Sequence, residues 1–182
     1  MKTLFAALSL TIAIAFPVIA QDRDGNDTPG EWIVTHKKAF GLWDSFCDER
    51  TTGDLLEERC YVRYVDVFSK RPNFGATFFF LTPGEIEFGL ERGMEFEPDG
   101  FRVERDGEVV WQETRRPCLA GRECKLTAQD AADFEALLEK GGEMRFTFTD
   151  PDGNPCDLTW NIDRMDEILA DFRAQAAARG LL

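Results

Sequence analysis

The stretch MRFTFTDPDGNPCDLTWNI, Met144 to Ile162, decides the fold class. Met144, Phe146 and Phe148 alternate with Arg145 and Thr147, and Leu158, Trp160 and Ile162 repeat the alternation after a break. A period of two places every second side chain on one face of an extended chain, whereas a helix needs apolar residues three and four apart. The break, Asp150 to Pro155, is built from Asp, Pro, Gly and Asn, residues that favour turns. The segment therefore predicts two antiparallel strands, each with one buried face. Cys156 shares the register of Leu158 and Trp160, so it is expected to point into the core as a small apolar side chain.

The same signal recurs upstream. Phe40 to Cys47, Cys60 to Phe68 and Phe74 to Thr82 read as strands, the last with Phe78-Phe79-Phe80-Leu81 as a block suited to burial on both faces. Ile86, Phe88 and Leu90 alternate with Glu85, Glu87 and Gly89. Phe101 to Val103 and Val109 to Trp111 flank a turn at Asp106-Gly107, a hairpin signature. About eight strands are expected. Two segments have helical spacing instead. Thr127 and Asp130 resemble a capping box ahead of Phe134, Leu137 and Leu138, with Gly141 as the stop. The second starts near Asp163 and carries Met165, Ile168, Leu169 and Phe172 on one side. Many short strands with two peripheral helices suit a β-sandwich or a barrel, which strand count does not separate.

The chain begins with Lys2, an apolar run from Leu4 to Phe16, and the small-residue site Val18-Ile19-Ala20, the pattern of an export signal. That run is shorter than the roughly 20 residues that span a bilayer, and no second candidate follows. Residues 1–20 are thus expected as a signal peptide, 21–38 as a flexible lead-in, 39–173 as one domain and 174–182 as a frayed tail. Removing the signal takes Lys2 and no acid, so the net charge moves from −13 to −14. An acidic surface disfavours nucleic acid and anionic lipid as partners.

Five cysteines in an exported chain point to disulfides and leave one sulfur over. Any of the five can be the odd one, with three pairings of the rest, so fifteen two-bridge arrangements exist. Local pairing is the expectation: Cys47 with Cys60 across a turn-like Asp-Glu-Arg-Thr-Thr-Gly-Asp, and Cys118 with Cys124 around Leu-Ala-Gly-Arg-Glu. Cys156 is then the free thiol, and a dimer bridged through it is the alternative use of that sulfur.

Catalytic candidates are few. His36 is the one histidine and falls in the expected lead-in, so neither a Ser-His-Asp nor a Cys-His arrangement is expected, and no catalytic residue is assigned. One histidine and bridged thiols leave few zinc ligands, so no metal and no cofactor are expected. Asp150, Asp152, Asn154 and Asp157 crowd one loop, but Gly153 stands at the fourth position where a calcium loop needs glycine at the sixth. A hairpin turn is the expected role.

The segment Phe40-Gly41-Leu42-Trp43-Asp44-Ser45-Phe46-Cys47, answered by Cys60, resembles the opening Phe-Gly-x-Trp-x-x-x-Cys element of the bacterial invasion-associated locus B family. Pro117 to Cys124 resembles its paired-cysteine loop, and Asp150 to Pro155 resembles the turn before its last strand. The likeness spans about Phe40 to Phe172 and departs at Cys156, where a small aliphatic residue is more usual. It implies an immunoglobulin-like β-sandwich, two local disulfides and a periplasmic or envelope location. It also implies a poorly defined activity, linked to host-cell invasion in some pathogens. Trp43, Ser45 and Cys47 share one face of a strand, which places an indole near the Cys47 bridge and predicts a core role for Trp43.

Together these readings predict an all-β exported protein, periplasmic or secreted, that is not an enzyme and acts through contacts with an envelope or host protein. A thiol-active or hydrolytic accessory enzyme of the envelope is the alternative, using Cys156 or an acid pair.

Overall fold

The computed structural model describes residues 31–67, 76–90, 99–119, 124–150 and 152–182. The expected signal peptide lies outside them. Among the described residues, ten strands form two antiparallel sheets. The larger has the order β1 (Ile33–Phe40), β2 (Trp43–Thr52), β3 (Leu55–Val67), β4 (Ala76–Thr82), β5 (Glu85–Leu90) and β8 (Cys124–Thr127). The smaller has the order β10 (Pro155–Asn161), β9 (Glu143–Thr149), β6 (Phe101–Arg105) and β7 (Glu108–Glu113). A single turn, α1 (Arg116–Leu119), and two longer helices, α2 (Ala128–Glu139) and α3 (Met165–Ala178), complete the elements of the described residues.

The segment Met144 to Ile162 forms the β9–β10 pair, with Phe148 opposite Cys156, Phe146 opposite Leu158 and Met144 opposite Trp160. Its turn is tied by Asp150, whose carboxylate accepts from the backbone N–H groups of Asp152 and Asn154 and from the Asn154 amide. Asp150 therefore serves the hairpin, while the Asp157 carboxylate pairs with Arg145. Upstream, the segment expected as one strand from Phe40 to Cys47 is broken at Gly41, which adopts φ +72° and reverses the chain between β1 and β2.

One core holds both sheets. Trp160 and Phe146 of the smaller sheet stack at 5.0 Å, and Trp160 reaches Trp43 (5.7 Å), Tyr64 (5.4 Å) and Phe79 (5.9 Å) of the larger. Phe88 touches Phe101 at 4.9 Å across the same gap. Trp43 is thus a core residue, as its position two turns of the pleat from Cys47 predicts. The helices enter this core rather than sitting at its edge: Phe134 and Leu138 of α2, and Ile168, Leu169 and Phe172 of α3, are fully buried. Phe134 packs on both Phe79 and Phe88.

These contacts correct the expected all-β sandwich of about eight strands with peripheral helices. The architecture is mixed α/β, because helix side chains fill space that a second sheet alone would leave open. Two boundaries also move. The supposed lead-in contains most of β1, and the supposed frayed tail continues α3 through Ala178 with Ala176 fully buried.

The expected capping box at Thr127 is not made, since its side chain bonds no helix N–H and Asp130 instead faces Arg115 at 3.5 Å. The other end of α2 is secured from the opposite sheet. Arg105 of β6 donates Nη1 to the carbonyl of Gly141 (2.6 Å) and Nη2 to that of Leu137 (2.8 Å), placing a cation where the helix dipole is negative. Arg105→Met keeps the aliphatic packing and removes both bonds, so it is expected to cost about 2 kcal/mol in urea unfolding. An unchanged midpoint would show that water replaces the arginine without loss.

Candidate functional site

Two disulfides are present. Cys47 and Cys60 stand directly opposite in the β2–β3 register and are bonded, and Cys118 of α1 is bonded to Cys124 at the start of β8. Both bridges are buried. By constraining the unfolded chain, each contributes roughly 2 to 4 kcal/mol.

The second bridge has a neighbour that its cysteine spacing does not announce. Glu113 ends β7 with its side chain turned inward, and its carboxylate and the sulfurs of Cys118 and Cys124 all lie within 4.8 Å of one another. Arg115 holds that carboxylate. Its backbone N–H donates to Oε1 at 2.7 Å, Nε to both oxygens at 3.0 Å, and Nη2 to Oε2 at 2.6 Å. Burial raises the Glu113 carboxyl, but the hydrogen bonds and charge of Arg115 outweigh it and hold the group below its ordinary value. In the bridged form the sulfurs are not thiolates, so the resting arrangement is a buried carboxylate beside a disulfide, paired with a half-exposed arginine. Counting histidines and cysteines, the basis for expecting few zinc ligands, does not bring in Glu113.

A second cluster joins β1 to α3. His36 Nε2 and Asp171 Oδ2 are 2.7 Å apart, and Lys38 Nζ is 3.5 Å from Asp171 Oδ1. Ser45 on β2, its hydroxyl fully buried, lies beside the same carboxylate without full hydrogen-bond geometry. His36 is therefore a structured, part-buried residue, which corrects its placement in a flexible lead-in. Serine, histidine and aspartate meet here in the wrong order for nucleophilic catalysis, because the imidazole bonds the carboxylate and not the hydroxyl.

The cluster predicts a pH dependence. Burial raises the Asp171 carboxyl, yet the Ser45 hydroxyl, the His36 ring and the Lys38 charge together leave it below its ordinary 3.8. A carboxyl depressed in the folded chain binds fewer protons there than in the unfolded chain. Its stabilisation is complete above that ordinary value and is lost as pH falls through the depressed one. Asp171→Asn is expected to be less stable than the parent at neutral pH and to converge with it in acid. Urea midpoints between about pH 6 and about pH 2 test this, and parallel curves for the two proteins would contradict it.

The outer face of the larger sheet, turned away from the core, carries a ladder of arginines and aromatic rings. Asp44 faces Arg63, Phe46 faces Tyr61 and Asp48 faces Arg59 across β2 and β3. Arg59 donates Nε to Asp48 Oδ1 (2.6 Å) and Nη2 to Oδ2 (3.0 Å), while the Tyr61 hydroxyl donates to Oδ2 at 3.0 Å. The Arg59 guanidinium lies 3.8 Å from the Trp32 ring centre, and that of Arg63 lies 4.7 Å from Phe46. Burial and the Asp48 charge push the Tyr61 phenol well above its ordinary range, so it remains a donor.

Cys156 is unpaired and only half-buried. It keeps the core register of β10 but sits at the sheet's end, where it lines a cavity of about 220 Å³ with Arg102, Arg145, Thr147 and Asp157. The expectation of a fully buried thiol is corrected, because the strand runs past the end of the core at that point. Burial and the Asp150 charge push the thiol up, so it stays protonated and weakly nucleophilic. Of the two arginines that line the cavity, Arg145 is engaged by Asp157 and Glu104, and Arg102 by Asp99.

No helix among the described residues is long and apolar enough to cross a membrane. The fold and its bridges define a small two-sheet α/β protein stabilised by disulfides. No family model and no curated protein match the chain. Among solved structures it is similar to invasion associated protein B from Bartonella henselae, with a TM-score of 0.51 and 16% identity over 79% of this chain and 99% of that one. At that identity the likeness is one of fold.

Proposed function

We propose that the protein is an exported, envelope-associated member of the invasion-associated locus B superfamily that acts through protein contacts and not as an enzyme. The observation that carries the reading is the fold likeness, which takes in nearly the whole of the Bartonella protein. Two buried disulfides support an oxidising compartment outside the cytosol. The hydroxyl of Ser45 without a bonded base and the protonated thiol of Cys156 support a contact role over nucleophilic catalysis. An immunoglobulin-like arrangement of the two sheets and any role in host-cell invasion belong to the same proposal and rest on the resemblance in Phe40 to Cys47 and Pro117 to Cys124. The partner is an envelope or host protein.

Cell fractionation combined with cross-linking of the natively expressed protein tests this. Recovery in the periplasm or envelope with a discrete cross-linked partner is the expected result. Recovery in the cytosol, or turnover in a substrate screen with no partner, would overturn it.

A further inference from the structure

We propose that Glu113, Cys118 and Cys124 form a redox-gated binding site for zinc or a similar borderline-soft divalent cation, closed while the disulfide is intact. The three ligand atoms already lie within 4.8 Å of one another, and all three residues are at most 3% exposed. They come from the end of β7, α1 and the start of β8, where Glu113 pairs with Phe101, Cys118 N–H donates to the Arg115 carbonyl and Cys124 pairs with Phe88. Two sulfurs and one carboxylate oxygen are a donor set suited to zinc, with water as the fourth ligand.

Charge balance states why the site belongs to the reduced form. With the bridge intact, the Glu113 carboxylate and the Arg115 guanidinium cancel. Opening the Sγ–Sγ bond takes two electrons and two protons from a dithiol donor, which leaves as its own disulfide, and produces two buried thiols. If those thiols ionised alone, two thiolates and a carboxylate against one guanidinium would leave a net charge of about −2 in a buried space, an arrangement that desolvation opposes. A divalent cation that displaces the two protons restores neutrality. Arg115, with nearly half its side chain exposed, links the cluster to solvent. The Cys47–Cys60 bridge has no comparable carboxylate among the described residues, so only one of the two bridges is convertible in this sense.

The test uses the mature chain carrying Cys156→Ser, reduced with a phosphine and titrated with Co2+ as a spectroscopic stand-in for zinc. Near-UV circular dichroism of the same samples reports folding. The reduced protein is expected to show thiolate-to-cobalt charge transfer and the intense visible bands of a tetrahedral site, and the oxidised protein neither. Glu113→Gln, which keeps both thiols, should bind about tenfold or more weakly. Cys118→Ser with Cys124→Ser should abolish the signal, while Zn2+ should displace Co2+. The inference is overturned if the reduced chain binds no cobalt or unfolds, if the oxidised chain binds equally, or if Glu113→Gln leaves the affinity unchanged. Cobalt retained by the double serine variant would assign the thiolates to Cys47 and Cys60 and also refute it.

Discussion

Trp160→Ala is expected to destabilise the protein by about 3 to 5 kcal/mol, a large part of the 5 to 15 kcal/mol that holds a typical domain folded. The indole is fully buried and has ring neighbours from both sheets: Phe146 on its own, Trp43, Tyr64, Phe79 and Phe88 on the other. Those rings are anchored in hydrogen-bonded strands, so they do not collapse into the vacated space, and both the lost transfer energy and the cavity contribute. Trp160→Phe retains most of the stacked area and should lose clearly less. Urea unfolding followed by far-UV circular dichroism, which does not depend on the removed fluorophore, provides the comparison. A loss below about 1 kcal/mol for Trp160→Ala would mean that the sheets are joined elsewhere.

Gly100→Ala is expected to destabilise by about 3 kcal/mol or more, although it adds a single methyl group. Gly100 adopts φ +72°, and a Cβ at this position would lie 1.8 Å from the carbonyl oxygen of Glu113 and 2.9 Å from its carbonyl carbon. Those atoms are backbone within the β6–β7 pair, where Phe101 faces Glu113, so no side chain can rotate away to relieve the overlap. The strands must part at that end. Gly84, also at positive φ but with open space around the added carbon, is the control, because Gly84→Ala meets only the conformational penalty. Equal losses for the two variants would show that conformation alone, and not the close approach, makes Gly100 necessary. Because the displaced backbone belongs to Glu113, Gly100→Ala should also loosen the carboxylate from the Cys118–Cys124 bridge.

The hairpins were legible because each is a local pattern. Alternation in Met144 to Ile162 and in Glu85 to Leu90, and the Asp106-Gly107 turn, concern residues close along the chain, where the pleat alone dictates which side chains share a face. Cys47 and Cys60 follow from the same logic, since a hairpin with its turn near Gly53 puts them opposite each other. The helices were legible as elements but not as core, since amphipathic spacing names the apolar face and not what covers it. The ordered place of His36 is not legible for a related reason. Its partner Asp171 is 135 residues away, and the strand that orders it is held by β2 and α3 rather than by its own composition.

Glu113 sharpens the distinction. It is five residues from Cys118, yet nothing in the local pattern separates it from the other acids of an acidic chain. Only the close approach at Gly100, the turn of α1 and the return of the chain into β8 bring its carboxylate to the two sulfurs. Arg105 is similar: a charged residue on an exposed-looking strand becomes the cap of a helix in another layer.

By itself, then, the sequence determined the hairpins downstream of β1, the two longer helical segments and the pairing of the nearest cysteines, because those depend on periodicity and on loop closure over short spans, whereas β1 and its reversal at Gly41 were not legible. Tertiary structure alone decided the mixed α/β core, the half-exposed place of Cys156, the His36–Asp171 pair and the Glu113 cluster. The physical reason is that burial and electrostatic partnership are properties of a site shared by several elements, and no one element's sequence encodes the surroundings that the others supply.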